Sequence, residues 1–237
     1  MSRLEIEKFE PLLGEWIKYL KPIFESEEMY NLYQEFKSTK ETVTPKSSDL
    51  FRFLQLCPPN ELKVIIMGMD SYPGRYNNKE LQATGIAFDC SNAPDKKLQP
   101  SLTAFWDGIR HDFMDDLPYE NNLTFLCEQG VMLANRALNC KLYKTGSFIG
   151  KWDFFWQFFF ETAMMNFPGV PVVFLGKDAK VLRKYVFEMN NPVFELNHPS
   201  FNARSGTLWE TEKVFSKINK LIEQNNGAEF RIRWSKF

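Results

Sequence analysis

Five short apolar runs, each ending at a residue able to bind or do chemistry, constrain this chain more than any other feature. Val64-Ile65-Ile66-Met67 leads into Gly68-Met69-Asp70-Ser71-Tyr72, and Gly85-Ile86-Ala87 into Phe88. Val131-Met132-Leu133-Ala134 ends at Asn135, Val172-Val173-Phe174-Leu175 at Gly176-Lys177, and Val193-Phe194-Glu195-Leu196 at Asn197-His198-Pro199-Ser200. Strands buried on both faces of a parallel sheet read as continuous apolar runs, and ligands bind beyond their carboxyl ends. The pattern therefore predicts that an acid, an aromatic ring, an amide and an imidazole meet in one crevice. Helical patterns fall between the runs, over residues 101–113, 154–166, 179–187 and 207–224. That rhythm predicts an α/β fold: a single domain with a central, mostly parallel, four- to five-stranded sheet flanked by helices.

Ahead of the first run, residues 5–36 carry apolar positions at helical spacing, with Leu12, Leu13, Trp16, Ile17, Leu20 and Ile23 on one stripe. Residues 38–48 read as a polar loop. Ser48-Asp49 is expected to cap a short helix bearing Leu50, Phe51, Phe53 and Leu54, which Pro58-Pro59 ends. Residues 1–60 thus form a helical region packed on an α/β domain of residues 61–237. No linker or repeat separates them, so one structural unit is expected. Residues 75–81 read as a mobile surface loop, and 230–234 as a final strand or a docked extended segment.

Hydrophobic residues make up 44% of the 237 residues and aromatics 16%, including 23 Phe, which excludes a disordered chain. The net charge of −1 gives no global attraction for nucleic acid, so any such binding must rest on local cations. Cys57, Cys90, Cys127 and Cys140 lack metal-site spacing and read as reduced core thiols in a reducing compartment. No signal-peptide core opens the chain, and the aromatic run at 154–160 is too short to cross a membrane. These features predict a soluble intracellular protein, cytoplasmic or nuclear, without membrane association and monomeric.

The strand-end segments resemble the motifs of family 1 uracil-DNA glycosylases. Gly68-Met69-Asp70-Ser71-Tyr72-Pro73-Gly74 resembles the water-activating loop GQDPYHG. Residues 82–88, Gln-Ala-Thr-Gly-Ile-Ala-Phe, resemble QAHGLCF, and Lys97-Leu98-Gln99-Pro100-Ser101-Leu102 is similar to the proline-rich loop. Gln129-Gly130-Val131-Met132-Leu133-Ala134-Asn135 resembles QGVLLLN, and Gly150-Lys151-Trp152 the later GW segment. His198-Pro199-Ser200 opens like HPSPLS, and Phe215-Ser216-Lys217-Ile218-Asn219 like FSKTN. The segments keep the family's order across about three quarters of the chain.

The resemblance implies a uracil-DNA glycosylase-like fold and hydrolysis, after base flipping, of the bond joining uracil to deoxyribose in DNA. It needs no metal and no cofactor. Asp70 would orient the water and stabilise the sugar cation, and His198 would donate to uracil O2. Asn135 would read O4 and N3–H, Phe88 would stack on the base, and Tyr72 would exclude a C5 methyl. Met69 would contact substrate through its backbone. DNA contacts would come from Ser71, Gln99, Pro100, Ser101, Gly176, Lys177, Ser200, Phe201, Asn202 and Arg204. Partners would be uracil-containing single- and double-stranded DNA, with a proteinaceous glycosylase inhibitor or replication proteins beside it.

Several positions depart from the family pattern. Met69 replaces Gln, Ser71 replaces Pro and Pro73 replaces His in the water-activating loop; loss of the proline at 71 is expected to loosen it. Lys177 stands where the family has Ser. Phe201-Asn202-Ala203-Arg204 replaces Pro-Leu-Ser and the residue after it, which removes the leucine wedge and makes Phe201 its substitute. Two further readings therefore stand beside an active enzyme: a DNA-binding accessory protein on the same fold with weak or no activity, and a glycosylase for another modified pyrimidine.

Overall fold

The computed structural model describes residues 6–236; residues 1–5 and 237, Glu5 among them, lie outside the described residues. Four of the five apolar runs pair into the sheet. β1 (Val64–Asp70) lies between β2 (Val131–Ala137) and β3 (Val172–Leu175), and β4 (Val193–Leu196) forms the far edge. Every pairing is parallel, in the order β2-β1-β3-β4.

Side-chain alternation splits the core in two. Ile65, Met67, Met132, Ala134, Val172 and Phe174 face one layer, while Val64, Ile66, Val131, Leu133, Val173 and Leu175 face the other. None of these is more than 1% exposed. Both faces are covered, which is why the runs are apolar throughout.

The first layer is the aromatic one. It joins α1 (Ile17–Phe24) and α2 (Glu27–Ser38) to α4 (Asp153–Glu161), the helix made by the aromatic run. Trp16 packs on Phe159 with centroids 5.3 Å apart, and its indole donates to the Cys57 carbonyl at 2.7 Å. Phe155, Trp156, Phe159 and Phe160 are all buried, so the run is core rather than membrane. Among the described residues no helix is long and apolar enough to cross a membrane. The helical spacing over 5–36 is divided among several helices in the described residues. Gly14 turns the chain with φ 55°, and Ser26 caps a fresh helix by accepting from Met29 N at 3.2 Å. All four cysteines are buried and unpaired.

The second layer is carried by α3 (Pro100–Phe113) and α7 (Val214–Asn226). The expected helix at 207–224 starts only at Val214. Asp112, near the end of α3, accepts from Thr211 Oγ1 at 3.1 Å, Phe215 N at 3.0 Å and the Ser216 hydroxyl, fixing that start. The chain terminus is a docked extended segment: Ile232 and Trp234 are buried, and the Asn219 amide bonds the Ile232 N–H and carbonyl at 2.9 and 3.0 Å. Two short helices follow the last two strands, α5 (Gly176–Lys180) after β3 and α6 (Pro199–Ser205) after β4.

Other expectations change in detail. Gly85-Ile86-Ala87 is a turn, not a strand: Gly85 and Phe88 have φ of 83° and 66°, and one bond, Ala87 N to Leu133 O at 3.1 Å, ties it to β2. Ser48 and Asp49 sit in a 3-10 turn and cap nothing; the helix Arg52–Gln55 has no side-chain cap. The polar loop at 38–48 contains Val43–Thr44, paired antiparallel with Cys140–Lys141. Residues 75–81 form a hairpin of Arg75–Tyr76 with Glu80–Leu81, turning at Asn77 and Asn78, both at positive φ. The helix expected at 154–166 ends in a 3-10 turn, Ala163–Asn166, and that expected at 179–187 begins at Gly176 and passes into another, Val181–Tyr185.

Candidate active site

A cavity of about 880 Å³ opens beyond the carboxyl ends of the strands, and Asp70, Tyr72, Phe88, Asn135 and His198 all line it. Asp70 is the last residue of β1. Its Oδ2 accepts the Gly146 N–H at 2.6 Å. Burial raises its pKa above the ordinary 3.8, the Gly146 bond opposes that rise, and the nearby Asp178 carboxylate adds to it.

The chain after Asp70 is pinned at four points. The Ser71 hydroxyl donates to the Leu138 carbonyl at 2.8 Å, and the Cys140 thiol donates to the Ser71 carbonyl at 3.2 Å. Thr44 Oγ1 reaches the Tyr72 carbonyl at 3.4 Å, and Tyr143 N donates to the Pro73 carbonyl at 2.7 Å. The loosening expected from loss of a proline is therefore offset by hydrogen bonds from two distant segments.

Asn135 stands in register with Gly68 of β1. A Cβ at position 68 would collide with Asn135 Oδ1, so the missing side chain is what lets the amide pass into the cavity. Among the described residues no hydrogen bond engages that amide. Phe88 stacks on Phe105 (5.4 Å, 16°) and lies tilted against His198 (5.5 Å, 35°). The Tyr72 hydroxyl shares a 2.8 Å hydrogen bond with Ser101 Oγ and donates to the Phe88 carbonyl at 3.4 Å. Burial pushes this phenol well above the ordinary tyrosine range.

His198 caps α6. Its Nδ1 accepts the Ser200 N–H at 3.2 Å and meets Ser200 Oγ at 2.9 Å. A nitrogen accepting a backbone N–H is unprotonated, so the ring hydrogen belongs to Nε2. Burial first, then the Arg204 charge, lowers the imidazole to about 4, against a smaller opposing effect of Asp178. The ring is a neutral donor at physiological pH. Gly176, with φ 83°, allows it in: a Cβ there would lie 2.7 Å from His198 Cβ.

Around the mouth stand Lys177, Ser200, Phe201 and Arg204, with Phe201 61% exposed. Met69, Gly176 and Ser101 also line the cavity, although the Ser101 hydroxyl is already shared with Tyr72. Three residues expected to contact DNA spend side-chain hydrogen bonds within the protein, although Ser71 itself lines the cavity. Ser71 is 5% exposed with its hydroxyl turned onto Leu138, and Gln99 Nε2 donates to the Tyr76 hydroxyl at 3.1 Å. Asn202 holds the end of α6 through Thr207 Oγ1 and the Leu208 carbonyl, at 3.0 and 2.8 Å. These side chains are consumed by loop packing. Pro100, the first residue of α3, and Asn202 line a neighbouring groove instead.

Sequence reading missed Asp178, Thr145 and Gly146, which line or bond into the cavity. Asp178 is held by Arg136, whose guanidinium donates to the Asp178 carbonyl at 3.0 Å and grips Asp153 at 2.8 and 2.7 Å. The position of Asp178 two residues past a strand-end glycine was a usable signal. Thr145 and Gly146 sit in a turn with no pattern of their own.

No family model matches the chain. A uracil-DNA glycosylase of Bacillus mycoides (strain KBAB4) is 31% identical over 229 residues, covering 94% of this chain and 96% of that protein. The crystal structure of mimivirus uracil-DNA glycosylase superposes with a TM-score of 0.81 at 21% identity, covering 99% of this chain and 94% of that one. A mimivirus UNG variant in complex with UGI gives a TM-score of 0.84 at 22% identity, over 99% and 96% of the two chains. The similarity to the Bacillus protein spans nearly the full length of both, and the solved structures share the parallel-sheet fold; this chain belongs to the uracil-DNA glycosylase family.

Proposed function

We propose that Asp70 and His198 carry the family's excision of uracil from DNA in this chain, with Asn135, Phe88, Tyr72 and the Met69 backbone holding the base. The observation that supports this reading is the convergence of these residues, from four separate strand ends or turns, on one cavity.

The reaction breaks the C1′–N1 bond and forms a bond from a water oxygen to C1′. The bonding pair leaves with uracil, so positive charge develops on the sugar and negative charge on the base. Asp70 answers the first: its carboxylate attracts the sugar cation and accepts the proton of the attacking water. Burial, by raising its pKa, makes it a better base than an exposed aspartate. His198 answers the second, as a neutral Nε2–H donor to uracil O2. A neutral donor already in place needs no reorganisation as charge builds.

Asn135 offers a donor for O4 and an acceptor for N3–H, and cytosine presents the reverse pattern. Phe88, rigidly backed by Phe105, supplies a stacking face. Tyr72, fixed by Ser101 and the Phe88 carbonyl, occupies the space that a thymine methyl would need. At the mouth, Lys177, Ser200 and Arg204 suit phosphates of single- or double-stranded DNA, and exposed Phe201 suits the stack vacated by the flipped base. The mimivirus structure with UGI supports a proteinaceous inhibitor as a further partner.

The test is release of free uracil from oligonucleotides carrying one deoxyuridine, single- and double-stranded. Wild type releases it, and Asp70→Asn or His198→Leu lowers the single-turnover rate by about 10²–10³-fold. DNA binding with no release by wild type would overturn the assignment.

A further inference from the structure

The bonds around Ser71 go beyond holding a loop. Ser71 immediately follows Asp70, is 5% exposed, and is gripped on both of its polar sides. Its hydroxyl donates to Leu138 O at 2.8 Å, and its carbonyl accepts the Cys140 thiol at 3.2 Å. Both partners belong to the segment that runs on to Gly146, whose N–H holds the Asp70 carboxylate at 2.6 Å. One stretch of chain therefore fixes the backbone after Asp70 and the carboxylate itself.

We propose that Ser71 is a positioning residue for excision: its paired bonds to Leu138 and Cys140 register the end of β1 against the 138–146 segment, so that the Asp70 carboxylate meets Gly146 and presents its other oxygen to the cavity. The two bonds engage the Ser71 hydroxyl and carbonyl within the protein. The position needs backbone restraint, and here a buried hydroxyl supplies it. Among the described residues the Ser71 N–H meets no acceptor, and Asp70 is extended, so a proline at 71 satisfies the same restraint by another route.

The inference rests on the role given to Asp70, and the experiment separates the two. Single-turnover uracil release and half-saturating DNA concentration are measured for wild type, Asp70→Asn, Ser71→Ala and Ser71→Pro, with thermal melting to confirm folding. Ser71→Ala is expected to slow release about 10- to 100-fold, as for a displaced catalytic group, with half-saturation within about twofold of wild type. Ser71→Pro is expected to recover most of that rate. A Ser71→Ala rate within twofold of wild type, a loss matched by weaker DNA binding, or a folded Ser71→Pro as slow as the alanine variant would overturn it. An unimpaired Asp70→Asn would instead overturn the role of Asp70.

Discussion

At Gly68 the absence of one carbon decides whether the Asn135 amide, proposed to read the base, has a path. Substituting Ala places a Cβ against Asn135 Oδ1 across the β1–β2 register. Gly68→Ala is expected to slow uracil release by about 10²-fold, as removal of Asn135's side chain would, because an unpaired recognition group is lost from the site. The two substitutions should be strongly non-additive in single-turnover assays, since both act on one contact.

Asp70 and His198 give opposite pH signs. Folding raises the Asp70 pKa above 3.8, so the folded state holds that proton more tightly than the unfolded chain. Stability accordingly falls as pH rises from 3.8 through the folded value, and stays lowered above it. Asp70→Asn is expected to raise Tm at pH 7 while abolishing most activity, with the Tm gain fading below about pH 3.8. His198 is lowered from 6.5 to about 4, so its contribution to stability is lost as pH falls across that interval. Because the imidazole is neutral throughout, the excision rate should show no inflection near pH 6.5. Its acid limb should follow Asp70.

Among the elements, α5 is too short to hold itself in place and depends on β2. Arg136 projects from β2, 8% exposed, and its guanidinium joins Asp153 at the start of α4 to the Asp178 carbonyl in α5. That clamp sets Gly176 against His198 and Asp178 beside the cavity. Arg136→Met is expected to destabilise the protein by about 2–4 kcal/mol, because it leaves the Asp153 carboxylate largely buried without its partner. Chemical denaturation with unchanged m-value is the readout. The clamp also explains why a charged residue interrupts the apolar series of β2 directly after Asn135.

For the whole molecule, the N-terminal region shares its core with the sheet rather than lying on it. Trp16 is fully buried against Phe159, and Thr44 reaches from the same region to the Tyr72 carbonyl beside the cavity. Trp16→Ala is expected to lower stability by about 3–5 kcal/mol, the usual range for emptying a buried indole site. Calorimetry should still show a single transition; a separate low-temperature transition for residues 1–60 would show that they fold on their own.

The sequence by itself determined the parallel sheet, the order of the chemical residues along it and the family. Strands covered on both faces must be apolar end to end, so Asp70, Asn135 and His198 are marked by ending such runs. It read Gly85-Ile86-Ala87 as a strand because three apolar residues cannot distinguish a buried turn from a buried strand. Only the tertiary structure decided that the Ser71 hydroxyl and the Asn202 amide are spent on hydrogen bonds within the protein. It alone showed that Gly146 holds Asp70, and that Asp178 enters the site. The placing of Ser71 and Asp70 depends on pairings across 67 and 76 residues of chain, with Leu138 and Gly146, and a hydrogen bond closed over such a distance leaves no periodic mark in the chain that makes it.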